Sequence, residues 1–351
     1  MKNTNELNNF TNELLITPKD LLHRYKITPS VHDFVQSTRS SIRNILSGKD
    51  KRLLVIIGPC SIHDPVAALE YAREIYTLRQ KYSSYLEIIM RTYFEKPRTV
   101  LGWTGLISDP DLDNTLKVNK GLRITRKLLL AINQLGVPTA TEFLDSIFSQ
   151  FIADLISWGA IGARTTESQV HRELASHLPC PIGFKNGTDG NILIAMDAIR
   201  SAQVSHLFLA PNKYGKINIF HTSGNNCAHM IMRGGRVPNY HKRDIERATQ
   251  QLRKFNLPEH LIVDFSHANS LKDHNRQLSV AESIIRQIVS GSRVISGVMV
   301  ESFLKEGAQP VDKIHNLVFG QSITDSCLGI QDSIVLIKKL ADAIKARLGI
   351  F

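Results

Sequence analysis

The sequence predicts an eight-stranded parallel (β/α) barrel. Eight short apolar runs, rich in β-branched residues, follow one another along the chain, and amphipathic stretches long enough for helices separate them. Each run ends on a residue that can hold an anion or a metal: Cys60, Arg91, Glu142, Arg164, Lys185, Arg233, His267 and Glu301. Because the active sites of such barrels lie at the C-terminal ends of the strands, we expect these side chains to meet at one mouth.

The length of the chain suits one barrel with extensions. It has 351 residues, of which 42% are hydrophobic, whereas a barrel needs about 250. We therefore expect an N-terminal extension over residues 1–50 and a catalytic domain over 51–351. Two β-type runs around the turn-rich segment 211–215 predict a β-hairpin inserted at about 206–222, a place that favours oligomer contact or regulation over chemistry.

Capping signals predict where several helices begin and end. Thr17, followed by proline, is a favoured N-cap, and Asp64, also followed by proline, predicts a second helix start after the first strand. A helix is expected from near Ser30 to a stop at Gly48, with its apolar residues at helical spacing. The last amphipathic helix is expected near 332–347.

Composition narrows the class of protein. Lys plus Arg number 43 against 32 for Asp plus Glu, a net charge of +11, which suits either a lysine-rich surface or small anionic substrates. A basic nucleic-acid-binding protein is the non-enzyme alternative, but the chain has no helix-turn-helix, RNP motif or aromatic stacking platform. The four cysteines form no CxxC pair, and there is no signal-peptide core and no run of about 18 apolar residues. We expect a cytoplasmic protein with reduced thiols.

Four residues at the predicted mouth have the donor types of a metal site. They are Cys60, His267, Glu301 and Asp325. Taken singly, Cys60 could be a small buried residue, His267 a hydrogen-bonded support and Glu301 a partner for an arginine. Together at one mouth they favour a divalent metal, and the mixed donor set suits manganese, iron, cobalt or zinc.

The same mouth gathers a set of cations. They are Arg91, Lys96, Arg98, Arg164, Lys185 and Arg233. Like charges crowd together only where anions neutralise them, and guanidinium groups match phosphate and carboxylate geometry. Glu95, Glu142 and Asp264 are near enough in sequence to pair with one or two of them. The set predicts a substrate with several anionic groups.

Ten motifs carry a resemblance to a known family. They are GPCSIHDP (58–65), MRTYFEKPRT (90–99), GWTGLISDP (102–110), EFLD (142–145), WGAIGARTTESQ (158–169), GFKNGTDG (183–190), IMRGG (231–235), DFSHAN (264–269), VMVES (298–302) and SITD (322–325). In this order they resemble the type I 3-deoxy-D-arabino-heptulosonate-7-phosphate (DAHP) synthases, over nearly the whole chain from about residue 51 to 345. The sequence segments KRLLVIIGPCSIHD, MRTYFEKPRTV and GLISDPDL are similar to those of the tryptophan-sensitive isozyme of this family.

The resemblance implies a metal-dependent TIM-barrel transferase. Such an enzyme condenses phosphoenolpyruvate with erythrose 4-phosphate and water to give DAHP and phosphate. This is the first step of the shikimate pathway to chorismate and the aromatic amino acids. It also implies a homodimer or homotetramer under feedback control by an aromatic amino acid.

By motif match, the resemblance also assigns residues. The metal ligands would be Cys60, His267, Glu301 and Asp325, and the residues taking part in catalysis would be Lys96, Cys60, His267 and Glu142. Phosphoenolpyruvate would be bound by Arg91, Lys96, Arg164, Lys185, Arg233 and the backbone of Gly162 and Ala163. Arg98 and Thr99 would bind the phosphate of erythrose 4-phosphate, Lys96 would also donate a proton, and Glu142 would order a water or a nearby cation.

The implied effector pocket lies away from the mouth, between the N-terminal extension of a neighbouring subunit, residues 146–150 and 174–180, and the hairpin. Its lining would be Phe148, Gln150, Leu174, Leu178, Pro179, Phe208 and Ala210. Tryptophan is the first choice of effector and phenylalanine the second. Pro179 stands where a serine is common in the family, so weak or lost sensitivity is the third outcome.

One enzymatic alternative remains open from the residues. Lys185, at a strand end among other cations, could form a Schiff base with a keto substrate, as in another class of barrel aldolase. Borohydride would trap that intermediate, whereas a metal-dependent reaction would stop with a chelator.

Overall fold

A computed structural model describes residues 13–98, 102–311 and 316–350. Its strands are β1 (Leu53–Gly58), β2 (Leu86–Arg91), β3 (Thr139–Glu142), β4 (Trp158–Ile161), β5 (Ile182–Lys185), β6 (Leu207–Pro211), β7 (Ile217–His221), β8 (His229–Met232), β9 (Leu261–Asp264) and β10 (Ile295–Glu301). Eight of them close into a parallel barrel in the order β1-β10-β9-β8-β5-β4-β3-β2, and β6 and β7 form an antiparallel hairpin. The predicted (β/α) barrel with an inserted hairpin is confirmed.

The helices follow the predicted rhythm. They are α1 (Pro18–Arg24), α2 (Pro29–Leu46), α3 (Pro65–Tyr82), α4 (Val118–Gln134), α5 (Ser149–Ile152), α6 (Gln169–His177), α7 (Leu193–Ala202), α8 (Lys242–Lys254), α9 (Arg276–Val289) and α10 (Ile330–Arg347). Thr17 caps α1 by accepting the amide of Asp20, and Asp64 caps α3 by accepting two amides of its first turn. No described helix is long and apolar enough to cross a membrane.

Several strands end earlier than their apolar runs suggested. β1 ends at Gly58, so Cys60 lies in the turn that follows it. Arg164 and His267 also lie beyond the ends of their strands. His267 has a φ of +58°, a left-handed conformation that no strand residue adopts. The backbone therefore turns away from the ladder before the polar side chain is reached.

The barrel interior is a stack of apolar layers closed from below by α2. Along β1, Leu54 and Ile56 belong to one buried cluster, whereas Leu53 and Val55 belong to the cluster beneath the outer helices. This alternation is the two-residue period of a strand. Residues of α2 share the interior cluster with strand residues; these are Ile42, Ile45 and Leu46. The helix thus closes the N-terminal end of the barrel.

The hairpin has one buried and one exposed face. Phe208 is buried, and its ring centroid lies 5.2 Å from that of His177 at the end of α6. The opposite face exposes apolar side chains, namely Leu207, Leu209, Ile217 and Ile219. An apolar surface of this kind is typical of a contact with another chain.

Candidate active site

The functional side chains form the uppermost layer of the barrel interior. The apolar layer below contains Ile89, Ala140, Ile231, Ile262 and Met299. The residues two positions later in the chain than each of these are, in the same order, Arg91, Glu142, Arg233, Asp264 and Glu301. Because side chains of a strand alternate between its faces, these polar groups also point into the barrel, at its C-terminal end.

A cavity of about 220 Å³ opens at this mouth. It is lined by eleven of the predicted residues: Cys60, Lys96, Arg98, Glu142, Gly162, Ala163, Arg164, Lys185, Arg233, His267 and Asp325. Arg91 and Glu301 are buried and do not line the cavity. Thr99 lies outside the described residues. Sequence reasoning missed five lining residues, Pro97, Thr165, Thr188, Lys272 and Thr324, which stand in loops with no strand signal of their own.

Three of the four predicted metal ligands converge closely. One ligand atom each from Cys60, Glu301 and Asp325 lies within 4.8 Å of the others. The fourth, His267, places its Nε2 3.9 Å from Oε1 of Glu301. A thiol, an imidazole and two carboxylates gathered at the mouth fit a divalent transition metal.

The imidazole of His267 is oriented by its other nitrogen. Its Nδ1 lies 2.7 Å from the hydroxyl oxygen of Ser266 and 2.9 Å from Oδ2 of Asp264. A hydroxyl and a carboxylate behind the ring are common for metal-binding histidines, and this arrangement would leave Nε2 available to a metal. Burial opposes ionisation of Asp264, but the adjacent His267 and the ammonium of Lys185 outweigh burial and hold the pKa of this carboxyl well below its usual range.

Glu301 is held at both its backbone and its side chain. Its Oε1 accepts a hydrogen bond of 3.0 Å from Nη2 of Arg91, a fully buried side chain. The side-chain amide of Gln277 binds its backbone on both sides: Nε2 donates to the carbonyl of Glu301 and Oε1 accepts its N–H, each over 2.9 Å. Gln277 is fully buried in the first turn of α9, and no motif in the sequence pointed to it.

The cations are arranged by depth. Arg91 and Lys185 are buried at the floor, and Nζ of Lys185 lies 3.5 Å from Oδ2 of Asp264 and 3.9 Å from Oε2 of Glu142. This is the predicted pairing of a cation with those acids. Arg98 and Arg164 are exposed at the rim. An anion with two charged ends could therefore reach from the floor to the rim.

Lys96 faces the candidate metal ligands. Its Nζ lies 3.0 Å from Sγ of Cys60. Burial lowers the pKa of Lys96, but Cys60 and Glu301 outweigh that effect and raise it, so the group is held as an ammonium. Burial lowers the pKa of Arg233, and the nearby charge of Arg164 lowers it further.

The loop that carries Lys96 and Arg98 is folded back on itself. The N–H of Lys96 donates to the carbonyl of Thr104 over 2.9 Å, and Nε of Arg98 donates to that of Trp103 over 2.8 Å. Gly105 has a φ of +120°, and a side chain there would collide with the backbone of Phe94. The glycine thus permits the close chain approach that positions both cations.

A second cavity, of about 430 Å³, lies at the predicted effector region. Gln150, Leu178 and Pro179 line it, as the sequence suggested. Leu174, Phe208 and Ala210 are instead buried, and Phe148 is partly buried against the core. The extension contributes to the lining with Leu22, His32, Gln36 and Arg39, none of which the sequence identified. A third and larger cavity, of about 720 Å³ between α8 and α9, contains none of the predicted residues.

The fold and the mouth define a class of enzyme. A (β/α) barrel that surrounds a candidate metal centre with several cations is built to bind and transform small polyanionic substrates. The buried floor and the exposed rim together offer more than one anion site.

Comparisons with known proteins identify the family within this class. A sequence model of the family described as "DAHP synthetase I family" matches residues 25–338 of the chain. "Phospho-2-dehydro-3-deoxyheptonate aldolase, Trp-sensitive" of Buchnera aphidicola subsp. Baizongia pistaciae is 64% identical over 99% of this chain and all of its own length, and the protein of that name from Escherichia coli K12 is 60% identical over the same shares. The solved structure of phospho-2-dehydro-3-deoxyheptonate aldolase from Francisella tularensis SCHU S4 is similar with a TM-score of 0.95 and 46% identity, covering 97% of this chain and 99% of its own. The chain belongs to the DAHP synthetase I family.

Proposed function

We propose that the barrel mouth condenses phosphoenolpyruvate with erythrose 4-phosphate and water, giving DAHP and inorganic phosphate. One observation supports assigning this reaction to the barrel mouth. Five of the predicted cations line one cavity together with Cys60 and Asp325, and a carboxylate oxygen of the buried Glu301 lies within 4.8 Å of the ligand atoms of those two residues. The two substrates together bring two phosphates and one carboxylate, which matches that distribution of charge.

The metal would be held by the thiol, imidazole and carboxylate groups of Cys60, His267, Glu301 and Asp325. When bound, a divalent ion polarises the aldehyde oxygen of erythrose 4-phosphate. The donor set suits manganese, iron, cobalt or zinc.

The deep cations take phosphoenolpyruvate. Arg91 and Lys185 lie at the floor, and Arg233 and Arg164 extend the site toward the rim. The backbone at Gly162 and Ala163 contributes to the same side of the cavity. A side chain at Gly162 would collide with the carboxylate of Glu142, so glycine here leaves room for that carboxylate at the edge of the cavity.

Erythrose 4-phosphate enters from the rim, with its phosphate at Arg98 and at Thr99, a residue outside the described part of the chain. The methylene carbon of phosphoenolpyruvate then forms a C–C bond with the aldehyde carbon, and Lys96 gives a proton to the aldehyde oxygen. Glu142 orders the water that adds to C2. The resulting hemiketal phosphate loses inorganic phosphate by C–O cleavage, which yields the keto group of DAHP.

This assignment is tested by phosphate release from the two substrates, with and without a chelator. Activity should need both substrates, stop with the chelator and return with added metal. Cys60→Ser should lose metal content and turnover together while it stays folded, because the exchange removes a ligand and little apolar surface, and its melting temperature should match that of the metal-free wild type. Full activity of metal-free Cys60→Ser would contradict the metal site. Trapping of the substrate by borohydride would support a Schiff base at Lys185 instead.

We further propose feedback inhibition by tryptophan, with phenylalanine as the second candidate. The relatives in Buchnera and Escherichia coli carry the name Trp-sensitive. The cavity lined by Gln150, Leu178 and Pro179 has the volume for an aromatic amino acid. The exposed apolar face of the hairpin supports assembly into a homodimer or homotetramer, and the protein is proposed to be cytoplasmic.

Phosphate release in the presence of each aromatic amino acid tests this regulation. Tryptophan should inhibit more strongly than phenylalanine or tyrosine. Removal of residues 1–16, of which 1–12 lie outside the described residues, should abolish the inhibition and leave catalysis unchanged. No response to tryptophan, phenylalanine or tyrosine would mean that control is lost. An undiminished response in the truncated protein would place the effector elsewhere.

A further inference from the structure

Tyr93 lies at the centre of three of the cations. It stands two residues beyond the end of β2, and only 2% of it is exposed. The centroid of its ring lies 3.9 Å from Cζ of Arg91, 5.6 Å from Nζ of Lys96 and 6.0 Å from Nζ of Lys185. One aromatic ring therefore contacts or approaches the two floor cations and the lysine beside Cys60.

The ring has the charge distribution that this position requires. The face of a phenol ring is electron-rich and attracts a cation within about 6 Å of its centroid. Three positive groups that share a small buried space repel one another, and a neutral ring between them offsets part of this repulsion without neutralising any charge. A carboxylate at the same place would compete with the anionic substrate, whereas the ring does not.

The backbone of Tyr93 is also fixed. Its carbonyl accepts a hydrogen bond of 2.9 Å from the N–H of Ile62, which ties it to the turn that carries Cys60. Its hydroxyl has no hydrogen-bond partner among the described residues. The contacts that the structure gives to this side chain are therefore made through the ring.

We infer that Tyr93 is a positioning residue, whose ring holds Arg91, Lys96 and Lys185 at the spacing that receives the anionic groups of phosphoenolpyruvate. This inference rests on the proposed function of the mouth. It predicts that the aromatic ring is required at this position and that the hydroxyl is not.

The test compares Tyr93→Phe, Tyr93→Leu and Tyr93→Met. Equilibrium binding of phosphoenolpyruvate to the metal-loaded protein is measured alongside kcat and the KM of each substrate. Tyr93→Phe should bind phosphoenolpyruvate within about twofold of the wild type. The two variants without a ring should bind it at least tenfold more weakly, with a smaller change in the KM of erythrose 4-phosphate. Tyr93→Met keeps the test valid if the leucine variant does not fold.

Phe184→Leu is the matched control. Phe184 is equally buried and is next to Lys185, but it belongs to the cluster beneath the outer helices. The control should lower the melting temperature and leave phosphoenolpyruvate affinity within about twofold.

Three outcomes would overturn the inference: wild-type affinity in both ringless variants, an equal loss in Tyr93→Phe, or an equal loss in the control. Failure of the wild type to bind phosphoenolpyruvate would instead refute the proposed function.

Discussion

At the residue scale, Glu301 shows how a candidate ligand is held by a distant side chain. The ladder between β10 and β9 stops at the pair Met299 and Asp264, so no strand neighbour on that side binds the backbone of Glu301. Gln277 supplies the missing partner with the donor and acceptor of one amide group. The side chain thus takes the place of a peptide group of the neighbouring strand.

Gln277→Leu should destabilise the protein. The N–H of Glu301 would be left buried without its acceptor, whereas its carbonyl would keep the bond from the N–H of Leu328. A buried unsatisfied group costs about 1–3 kcal/mol, so urea unfolding should show a loss of about 2–4 kcal/mol once the second broken bond is included. Metal affinity should fall as well, because Glu301 is less firmly placed.

The control for this substitution is Gln250→Leu, an exposed position on α8. It should change the unfolding free energy by less than about 0.5 kcal/mol. If Gln277→Leu behaved like this control in both stability and metal affinity, the amide would not be what positions Glu301.

At the scale of elements, α2 joins the barrel to the second cavity. Its apolar residues close the barrel floor, and Arg39 on the same helix is buried among backbone carbonyls. Nε of Arg39 donates to the carbonyl of Ile156 over 3.0 Å, and Nη2 donates to that of Ala153 over 2.7 Å. Arg39 therefore fixes α2 against the segment that follows α5. Arg39 also lines the second cavity, together with Gln150.

Arg39→Met should weaken this attachment without reaching the mouth. The methionine replaces most of the apolar stem but none of the donors, so the unfolding free energy should fall by about 2–3 kcal/mol. We expect kcat to stay within about twofold of the wild type and the response to tryptophan to weaken. Both are measured by phosphate release.

Arg43→Met, one turn further along α2, is the comparison. Arg43 is exposed, and within the described part of the chain its side chain makes a single hydrogen bond, of 3.2 Å to the carbonyl of Pro179. Loss of this hydrogen bond in Arg43→Met should lower the unfolding free energy by well under about 1 kcal/mol. Equal effects of the two substitutions would mean that the buried hydrogen bonds of Arg39 add nothing to the attachment of α2.

At the scale of the whole molecule, stability should depend on pH through a buried histidine. His229, the first residue of β8, accepts a hydrogen bond at Nε2 from the indole N–H of Trp158 over 3.1 Å. Its Nδ1 donates to the carbonyl of Cys227 over 2.8 Å. This pattern requires the neutral ring, because a proton on Nε2 would face the indole N–H. Burial lowers the pKa of His229 from 6.5 to about 4.

The sign of the pH effect follows from this lowered pKa. Between pH 6.5 and about 4, His229 binds a proton in the unfolded chain but not in the folded chain. The unfolding free energy therefore falls as the pH falls through that range. The loss from this one group approaches about 3 kcal/mol at the acid end. Urea unfolding of the wild type and of His229→Gln at several pH values isolates it: the variant should lack this part of the slope. Parallel pH profiles would show that His229 does not contribute.

The sequence by itself determined the barrel and indicated many residues of the candidate site. Apolar runs of strand length, spaced by helices, define the (β/α) order, and the capping residues Thr17 and Asp64 mark helix starts at their observed positions. Most candidate ligands and cations could be predicted because they stand at or just after the end of such a run, whereas Lys96, Arg98 and Asp325 stand farther on in loops. Both signals are local in the chain, which is why one sequence was sufficient to find them.

Only the tertiary structure decided how these groups are supported. Gln277 meets Glu301 across 24 positions, and Arg39 meets Ile156 across 117, so neither contact has a local pattern. The depth of each cation, and the place of Tyr93 between three of them, follow from strand register and loop folding. The lining of the second cavity differs from the expected effector lining for the same reason: Leu174 and Phe208 are buried away from it, and packing of α2 brings Arg39 into it. Closure of the barrel sets these distances, because it joins strands that are far apart in the chain.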